Sequence, residues 1–232
     1  MKISKLLLLL ASAAALCAGS VSANPVLRLS TSQGFTQTVA DGDPGPSGDI
    51  NPLAGAITFS GPLGAWFLNV TTGLGSAIYG GQPHLDLNSV NVSSFGTGGA
   101  PSSGSITLEL TEQNLTLGSA AQLVNFLGQI GGTTAGNVTW SLFVDDGNAL
   151  FGTSTLIGTG VSGGSPFAGS ASALAAIEDT FSMTLRVVIN HADGIRTTSF
   201  DFEAFVVPEP GTLLLLGMGT LALAFYRRRP QA

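Results

Sequence analysis

The sequence predicts an all-β fold, a single antiparallel β-sandwich of about nine to eleven short strands. Apolar and polar residues alternate in several segments, which is the period of a half-buried strand. Glycine is abundant, with 32 residues in 232, and glycine destabilises the interior of long helices. Stretches rich in Gly, Pro, Ser and Asp separate the alternating segments and predict turns between short strands.

The clearest alternation lies near the end of the predicted body. Large apolar residues occupy the odd positions of 181–189, and 200–204 repeats the pattern with its acidic residues facing outward. Between them, 190–194 contains Asp-Gly, which is a strong hairpin signal. We therefore predict that these two segments pair as an antiparallel hairpin and that His191 is a polar turn residue.

Four further segments alternate in the same way, namely 66–70, 85–92, 106–111 and 138–144. The second changes phase at Asn88-Ser89, which predicts a β-bulge. The two tryptophans of the body, Trp66 and Trp140, fall on the apolar side of their segments. We therefore expect both in the core.

Two segments leave the strand prediction open. Residues 120–129 carry apolar side chains at helical spacing, and 170–179 is rich in alanine, so one short helix is an alternative there. Several glycines near 128–132 favour a strand for the first segment equally well. Turn-rich spacers are predicted at 41–49, 96–104 and 158–166.

The charge of the body is low and one-sided. Residues 24–207 contain three basic residues (Arg28, Arg186 and Arg196), thirteen acidic residues and no lysine, a net charge of −10. Such a surface repels phosphate, so a nucleic-acid partner is not expected. Two long stretches, 113–144 and 147–177, carry no charged residue at all.

The N-terminal segment 1–23 has the three parts of a secretory signal peptide. Two lysines precede an apolar stretch at 6–18, and Val21-Ser22-Ala23 offers small side chains before a cut. We expect signal peptidase to cleave between Ala23 and Asn24. The single cysteine, Cys17, would leave with this peptide, so no disulfide is expected in the mature body.

The C-terminal segment 207–232 is also set apart. Pro208-Glu209-Pro210 is followed by an apolar stretch at 212–226 and by Arg227-Arg228-Arg229. Proline restricts both itself and the residue before it, which predicts an extended, exposed joint. As a helix the apolar stretch would reach about 22 Å, short of the ~30 Å of bilayer hydrocarbon. The basic cluster would stay in the cytoplasm.

This order of proline-flanked glutamate, short apolar helix and terminal arginines closely resembles the PEP-CTERM sorting signal of Gram-negative bacteria. The resemblance covers 207–229 and implies nothing about the fold of the body. It implies that an exosortase reads Pro208, Glu209 and Pro210 and removes the tail, in species that make exopolysaccharide or biofilm matrix. The protein would then pass from a transient inner-membrane intermediate to the outer surface or the extracellular matrix. An uncut membrane anchor is the alternative.

Catalytic chemistry is not indicated by the sequence. The chain has two histidines, and it lacks a nucleophile elbow, a zinc-protease helix and a Cys/His cluster. We therefore expect neither enzyme activity nor a cofactor. Oxygen donors at Asp41, Asp43 and Asp49 leave a calcium site as a minor alternative, although proline and glycine between them break EF-hand spacing.

Two interpretations of surface chemistry remain. Asn-x-Ser/Thr sequons begin at Asn69, Asn91, Asn114 and Asn137, and we interpret them as the product of strand alternation rather than glycosylation sites. Tyr79, in a glycine-flanked segment, is the candidate for contact with a glycan. The sequence therefore predicts an exported structural or interaction protein associated with exopolysaccharide, with a cell-surface carbohydrate-binding module as the alternative.

Overall fold

The body of the chain is a two-layer β-sandwich, as predicted, and the described part of it contains twelve strands rather than nine to eleven. The computed structural model describes residues 24–45, 48–95, 103–117 and 122–207. The strands in chain order are β1 (Val26–Thr31), β2 (Thr36–Ala40), β3 (Ala56–Leu63), β4 (Trp66–Leu74), β5 (His84–Ser94), β6 (Gly104–Leu115), β7 (Gln122–Thr134), β8 (Asn137–Asp145), β9 (Thr155–Ser162), β10 (Phe167–Ile177), β11 (Phe181–His191) and β12 (Arg196–Val207). A 3-10 turn, Ser76–Tyr79, lies between β4 and β5.

The strands form two six-stranded antiparallel sheets. Sheet A has the order β2-β1-β6-β11-β8-β9, and sheet B has the order β10-β7-β12-β5-β4-β3. Successive side chains of a strand point to opposite faces, so each strand gives alternate residues to the space between the sheets. In β8, for example, Val138, Trp140, Leu142 and Val144 are buried, which confirms the predicted apolar face.

The core is apolar and is built largely from aromatic and branched side chains. The largest fully buried residues include Trp66, Phe126, Phe181 and Phe202. Edge-to-face contacts join the sheets, with the Phe126 and Phe181 ring centroids 5.7 Å apart. The expectation that Trp66 and Trp140 belong to the core is confirmed, since they are 0% and 4% exposed.

The predicted hairpin between β11 and β12 is wrong. β11 pairs with β6 and β8 in sheet A, whereas β12 pairs with β5 and β7 in sheet B. The Asp-Gly turn therefore carries the chain from one sheet to the other. Both strands are central and have their apolar faces buried, and alternation alone does not say in which sheet a strand lies.

The helical alternative is also wrong for both segments in question. Where they are described, residues 120–129 belong to β7 and residues 170–179 mostly to β10, and these two strands pair with each other along their length. Tertiary pairing overrides the weak helical spacing. The spacer predicted at 158–166 is partly a strand as well, because β9 extends to Ser162.

The predicted bulge at Asn88-Ser89 is confirmed. Ser89 has a φ of 54°, and the register between β5 and β12 shifts between Phe200 and Phe202. The sequon asparagines Asn69, Asn91, Asn114 and Asn137 lie exposed on strands. The residue that follows each of the last three is buried, as strand alternation requires.

Several predictions fall outside the described residues. These are the signal peptide with Ala23, the apolar helix of the tail, Pro208, Glu209, Pro210 and the arginines Arg227 to Arg229. Within the described ranges, no helix has the length and apolar character needed to cross a bilayer.

Candidate functional site

The outer face of sheet B carries a row of polar and aromatic side chains where β7, β12 and β5 lie side by side. Glu203 of β12 is directly opposite Gln129 of β7 on one side and Asp86 of β5 on the other. One step along, Phe205 is opposite His84. We call this set, together with Tyr79, the sheet B groove.

Tyr79 is fixed in the sheet B groove by two contacts. Its ring stacks on His84 with centroids 3.5 Å apart and planes within 4°. Its hydroxyl donates a 3.1 Å hydrogen bond to Oδ2 of Asp86. Burial raises the pKa of Tyr79, and the negative charge of Asp86 raises it further. The tyrosine therefore stays a neutral donor and presents a fixed aromatic surface.

His84 lies between aromatic and acidic neighbours. Its Nε2 is 2.8 Å from Oε1 of Glu203, and its ring is 5.5 Å from that of Phe205. Burial lowers the pKa of His84, although the nearby Glu203 acts in the opposite direction. The groove therefore gains little positive charge from its histidine at neutral pH.

Asp86 is the buried acid of the groove and is 8% exposed. Burial raises its pKa above the ordinary value for aspartate, while hydrogen bonds from Tyr79 and Asn88 lower it. Neighbouring Glu203 and Asp201 add two further carboxylates on the same face. The groove is consequently rich in hydrogen-bond acceptors and negative in charge.

Two depressions that share Glu203 lie along the groove, and a third lies beside its end. One of about 340 Å³ is lined by Asp86, Asn88, Gln129, Asp201 and Glu203 among others. A second, of about 220 Å³, continues past His84, Glu203 and Phe205 to Pro83. The third, of about 390 Å³, lies at the end of the sandwich and is lined by Pro83 and Leu123 together with Thr116 and Leu117, which follow β6. The first two form an open surface depression rather than a closed pocket.

The 3-10 turn that carries Tyr79 is tied to the interior by Glu112 of β6. The Glu112 carboxylate accepts a 2.8 Å hydrogen bond from the backbone N–H of Ser76 and a 2.6 Å bond from its hydroxyl. Glu112 is completely buried. Burial raises its pKa to about 7, and the Ser76 hydrogen bonds offset part of this rise. The predicted strand segment 106–111 ends one residue before this acid, and nothing in the sequence placed it opposite Ser76.

A second polar cluster lies on the outer face of sheet A. Buried Glu109 receives Arg28 on one oxygen at 2.6 Å and Arg186 on the other at 2.8 Å. Each guanidinium also lies over a phenyl ring, Arg28 over Phe151 and Arg186 over Phe143. Two of the three cations of the body are therefore held by one carboxylate and by cation–π contacts.

The acidic loop at 41–49 uses its carboxylates to hold the loop itself. Asp41 accepts from the Gly55 N–H, Asp43 from the Gly45 N–H, and Asp49 from the N–H groups of Gly42, Asn51 and Thr58. Across the residues that the structure describes, no three His, Cys, Asp or Glu side chains are grouped as a metal site would require. These bonds are the ordinary turn chemistry of aspartate.

Of the residues singled out in the sequence, Tyr79 lies in the groove and is partly exposed. Asn24, at the expected cleavage point, precedes β1 and is exposed. The interpretation of His191 as a polar turn residue is wrong. It ends β11, is 3% exposed, and hydrogen-bonds through its two ring nitrogens to the hydroxyls of Ser94 and Thr198.

Sequence reasoning missed the partners of Tyr79. Alternation does place His84 and Asp86 on one face of β5, and Asp201 and Glu203 on one face of β12. These residues were not brought together because the predicted hairpin paired β12 with β11. That pairing placed Asp201 and Glu203 away from β5. Correct strand order would have brought all four side chains together.

Comparison with known protein families identifies the C-terminal tail. The family model for the PEP-CTERM protein-sorting motif matches residues 206–229, a span that includes the proline-flanked glutamate and the terminal arginines. This motif implies export to the cell envelope or surface and processing by an exosortase. No curated protein sequence matches the chain.

Similar solved structures share 12% sequence identity with this chain. TmCBM61 in complex with β-1,4-galactotriose has a TM-score of 0.26, over 61% of this chain and 81% of that chain. The CBM36-1 domain of a multidomain xylanase from the hindgut metagenome of Trinervitermes trinervoides has a TM-score of 0.23, over 51% and 78%. An isomalto-dextranase from Arthrobacter globiformis T6 complexed with panose has a TM-score of 0.26, over 80% and only 30%.

Proposed function

As a PEP-CTERM sorting domain-containing protein, this chain is addressed for export, and we propose that its β-sandwich binds neutral exopolysaccharide at the envelope or in the extracellular matrix. It acts there as a structural or interaction protein and catalyses no reaction. The observation that carries the proposal is the sheet B groove, where the Tyr79 ring is held by His84 and Asp86 beside a row of carboxylates and amides.

The chemistry of the groove suits a neutral sugar chain. Sugar hydroxyls donate to carboxylate oxygens such as those of Glu203 and Asp201, and these charge-assisted bonds are stronger than neutral ones. The Tyr79 ring offers an apolar surface for the C–H face of a sugar. Anionic polymers would be repelled because three acids line the groove against one histidine of lowered pKa.

Affinity electrophoresis through gels that contain the host's own exopolysaccharide tests this function. We expect retardation of the mature protein and loss of about tenfold or more in affinity for Tyr79→Ala. Phe67→Ala is the matched control, since Phe67 is an exposed aromatic on the same face but opposite Ser93, at the far end of β5 from His84. Absence of retardation, or equal loss in both variants, would contradict the proposal.

The non-enzymatic part of the proposal has its own measurement. Incubation of the protein with the same polysaccharide should leave the number of reducing ends unchanged. Release of oligosaccharides, abolished by Glu203→Gln, would instead make the adjacent carboxylates a catalytic pair.

The processing route is tested by the intact mass of protein isolated from its host. We expect residues 1–23 to be absent, together with the segment that follows Pro210. A mass that includes the three arginines would contradict tail removal and favour an uncut anchor.

A further inference from the structure

One lateral side of the sandwich is almost free of charge. β7, β9 and β10 contain no charged residue, and β8 contains only Asp145 at its end. These four strands are neighbours, because β8 and β9 end sheet A and β10 and β7 end sheet B on the same side. In the described body, the remaining charges lie on other strands and on loops. We call the two edge strands of this region, β9 and β10, the β9–β10 side.

Of the two edge strands on the β9–β10 side, β10 lacks the usual protection. It has eleven residues, contains no proline and pairs with β7 without a register shift. β9 has eight residues and no proline, and its register against β8 shifts once. The opposite edges differ. β2 has only five residues, and β3 contains Pro62 and a register shift. Native proteins commonly protect edges by short strands, prolines, charges or bulges.

The surface of β10 also permits close approach of another backbone. Its outward positions are the small residues Ala168, Ser170, Ser172 and Ala176, with Leu174 58% exposed. On β9, Leu156 and Val161 are 50% and 76% exposed. No described strand pairs with the outer edge of β9 or β10. The edge thus offers open backbone groups beside apolar side chains.

We propose that a second copy of this chain binds at the β9–β10 side, with β10 pairing antiparallel with β10 of the second copy. Two bodies of net charge −10 repel each other least when they meet through the side that lacks charge, and the β9–β10 side is that side. A two-fold axis makes the contact self-complementary. Antiparallel pairing also keeps apart the acidic ends, where Glu178 and Asp179 follow β10.

Sedimentation velocity of the mature exported protein tests this interface. Ser172 is the central residue of β10 and faces outward, so an in-register dimer places it opposite its own copy. At about 0.1 mM we expect the wild type to be dimeric, Ser172→Glu to be monomeric, and added salt to restore part of the dimer by screening the two new charges. Thr36→Glu, on the opposite edge strand β2, should remain dimeric.

Amide hydrogen exchange locates the contact independently of the substitution. Protection of β10 amides should increase with protein concentration, while that of β2 should not change. A monomeric wild type would overturn the proposal. So would a dimer that persists in Ser172→Glu and whose increased amide protection lies outside β10. Self-association does not depend on the sheet B groove, so failure of polysaccharide binding leaves this result unaffected.

Discussion

Glu112 and His191 are ionisable residues buried in the interior, where apolar side chains are usual. Glu112 accepts hydrogen bonds from Ser76 in the interior, and His191 bonds to two hydroxyls beside Trp66. The predicted segment 106–111 ended just before Glu112, and His191 was wrongly expected in a turn. The partners of these two residues could not be foreseen, because they lie far along the chain or in the other sheet.

Glu112 should make the protein less stable as pH rises. Its folded pKa of about 7 lies above the ordinary glutamate pKa of 4.5. The folded state therefore binds the extra proton, and the stabilisation from this proton is lost as pH rises between these values. We expect the free energy of unfolding to fall by up to about 3 kcal/mol from this residue. Chemical denaturation across this pH range should show a flatter profile for Glu112→Gln, and the wild-type profile for exposed Glu178→Gln.

His191 should act in the opposite direction. Burial, aided by the positive charge of Arg196, lowers its pKa to about 4, so the unfolded state binds the extra proton below pH 6.5. Stability from this residue is present above pH 6.5 and is lost as pH falls towards 4. NMR titration of the imidazole measures the pKa directly. A midpoint at or above 6.5 would contradict the prediction.

At the scale of the strand, alternation predicted which segments are extended but not how they are ordered. The segments 66–70, 85–92, 106–111 and 138–144 all became strands, because one face of each is buried against the core. The predicted pairing of β11 with β12 was wrong, because a turn that suits a hairpin can equally carry the chain from one sheet to the other. β7 and β10 were ambiguous because glycine and alanine carry little side-chain signal for either period.

Two glycines on neighbouring strands allow the backbone to pack closely against Trp140. Gly160 of β9 and Gly169 of β10 both lie close to this indole, and an added Cβ would lie 2.5 Å from Nε1 at Gly160 and 2.9 Å at Gly169. Gly160→Ala should therefore cost about 1–3 kcal/mol of stability through overpacking. Gly164→Ala is the control, because nothing lies within 4 Å of its added Cβ. Urea unfolding of both variants would reveal the difference, and equal midpoints would contradict it.

The cluster around Glu109 joins three strands of sheet A. Removing this carboxylate would leave Arg28 and Arg186 side by side without their acid, although each is about one-third exposed and partly solvated. We expect Glu109→Gln to lower the free energy of unfolding by about 1–3 kcal/mol. Added salt should recover part of the loss by screening the two arginines. A stability equal to wild type at low salt would show that the pairs contribute nothing.

For the whole molecule, strand alternation together with the abundance of glycine correctly indicated an all-β sandwich. The C-terminal motif correctly indicated the sorting signal. The groove could not be found this way, because it depends on the neighbours of β12. The uncharged stretches were visible in the sequence, but only strand order places them on one side.

The position of cysteine gives a prediction for the exported molecule. Cys17 is the single cysteine and belongs to the expected signal peptide, so we expect the mature sandwich to contain no disulfide. Its melting temperature should be the same with and without a thiol reductant. A decrease on reduction would mean that Cys17 is retained in a disulfide between copies.

The final strand has a mechanical consequence. β12 lies inside sheet B, with the β7 ladder on one side and the β5 ladder on the other, and it ends at Val207 where the sorting motif has already begun. A pull on the C-terminus therefore runs along β12 and loads the hydrogen bonds of both ladders in shear. Those bonds lie across the strand and must yield together rather than one by one. Attachment through this end would let the sandwich bear tension as a unit while its groove remains open to the outside.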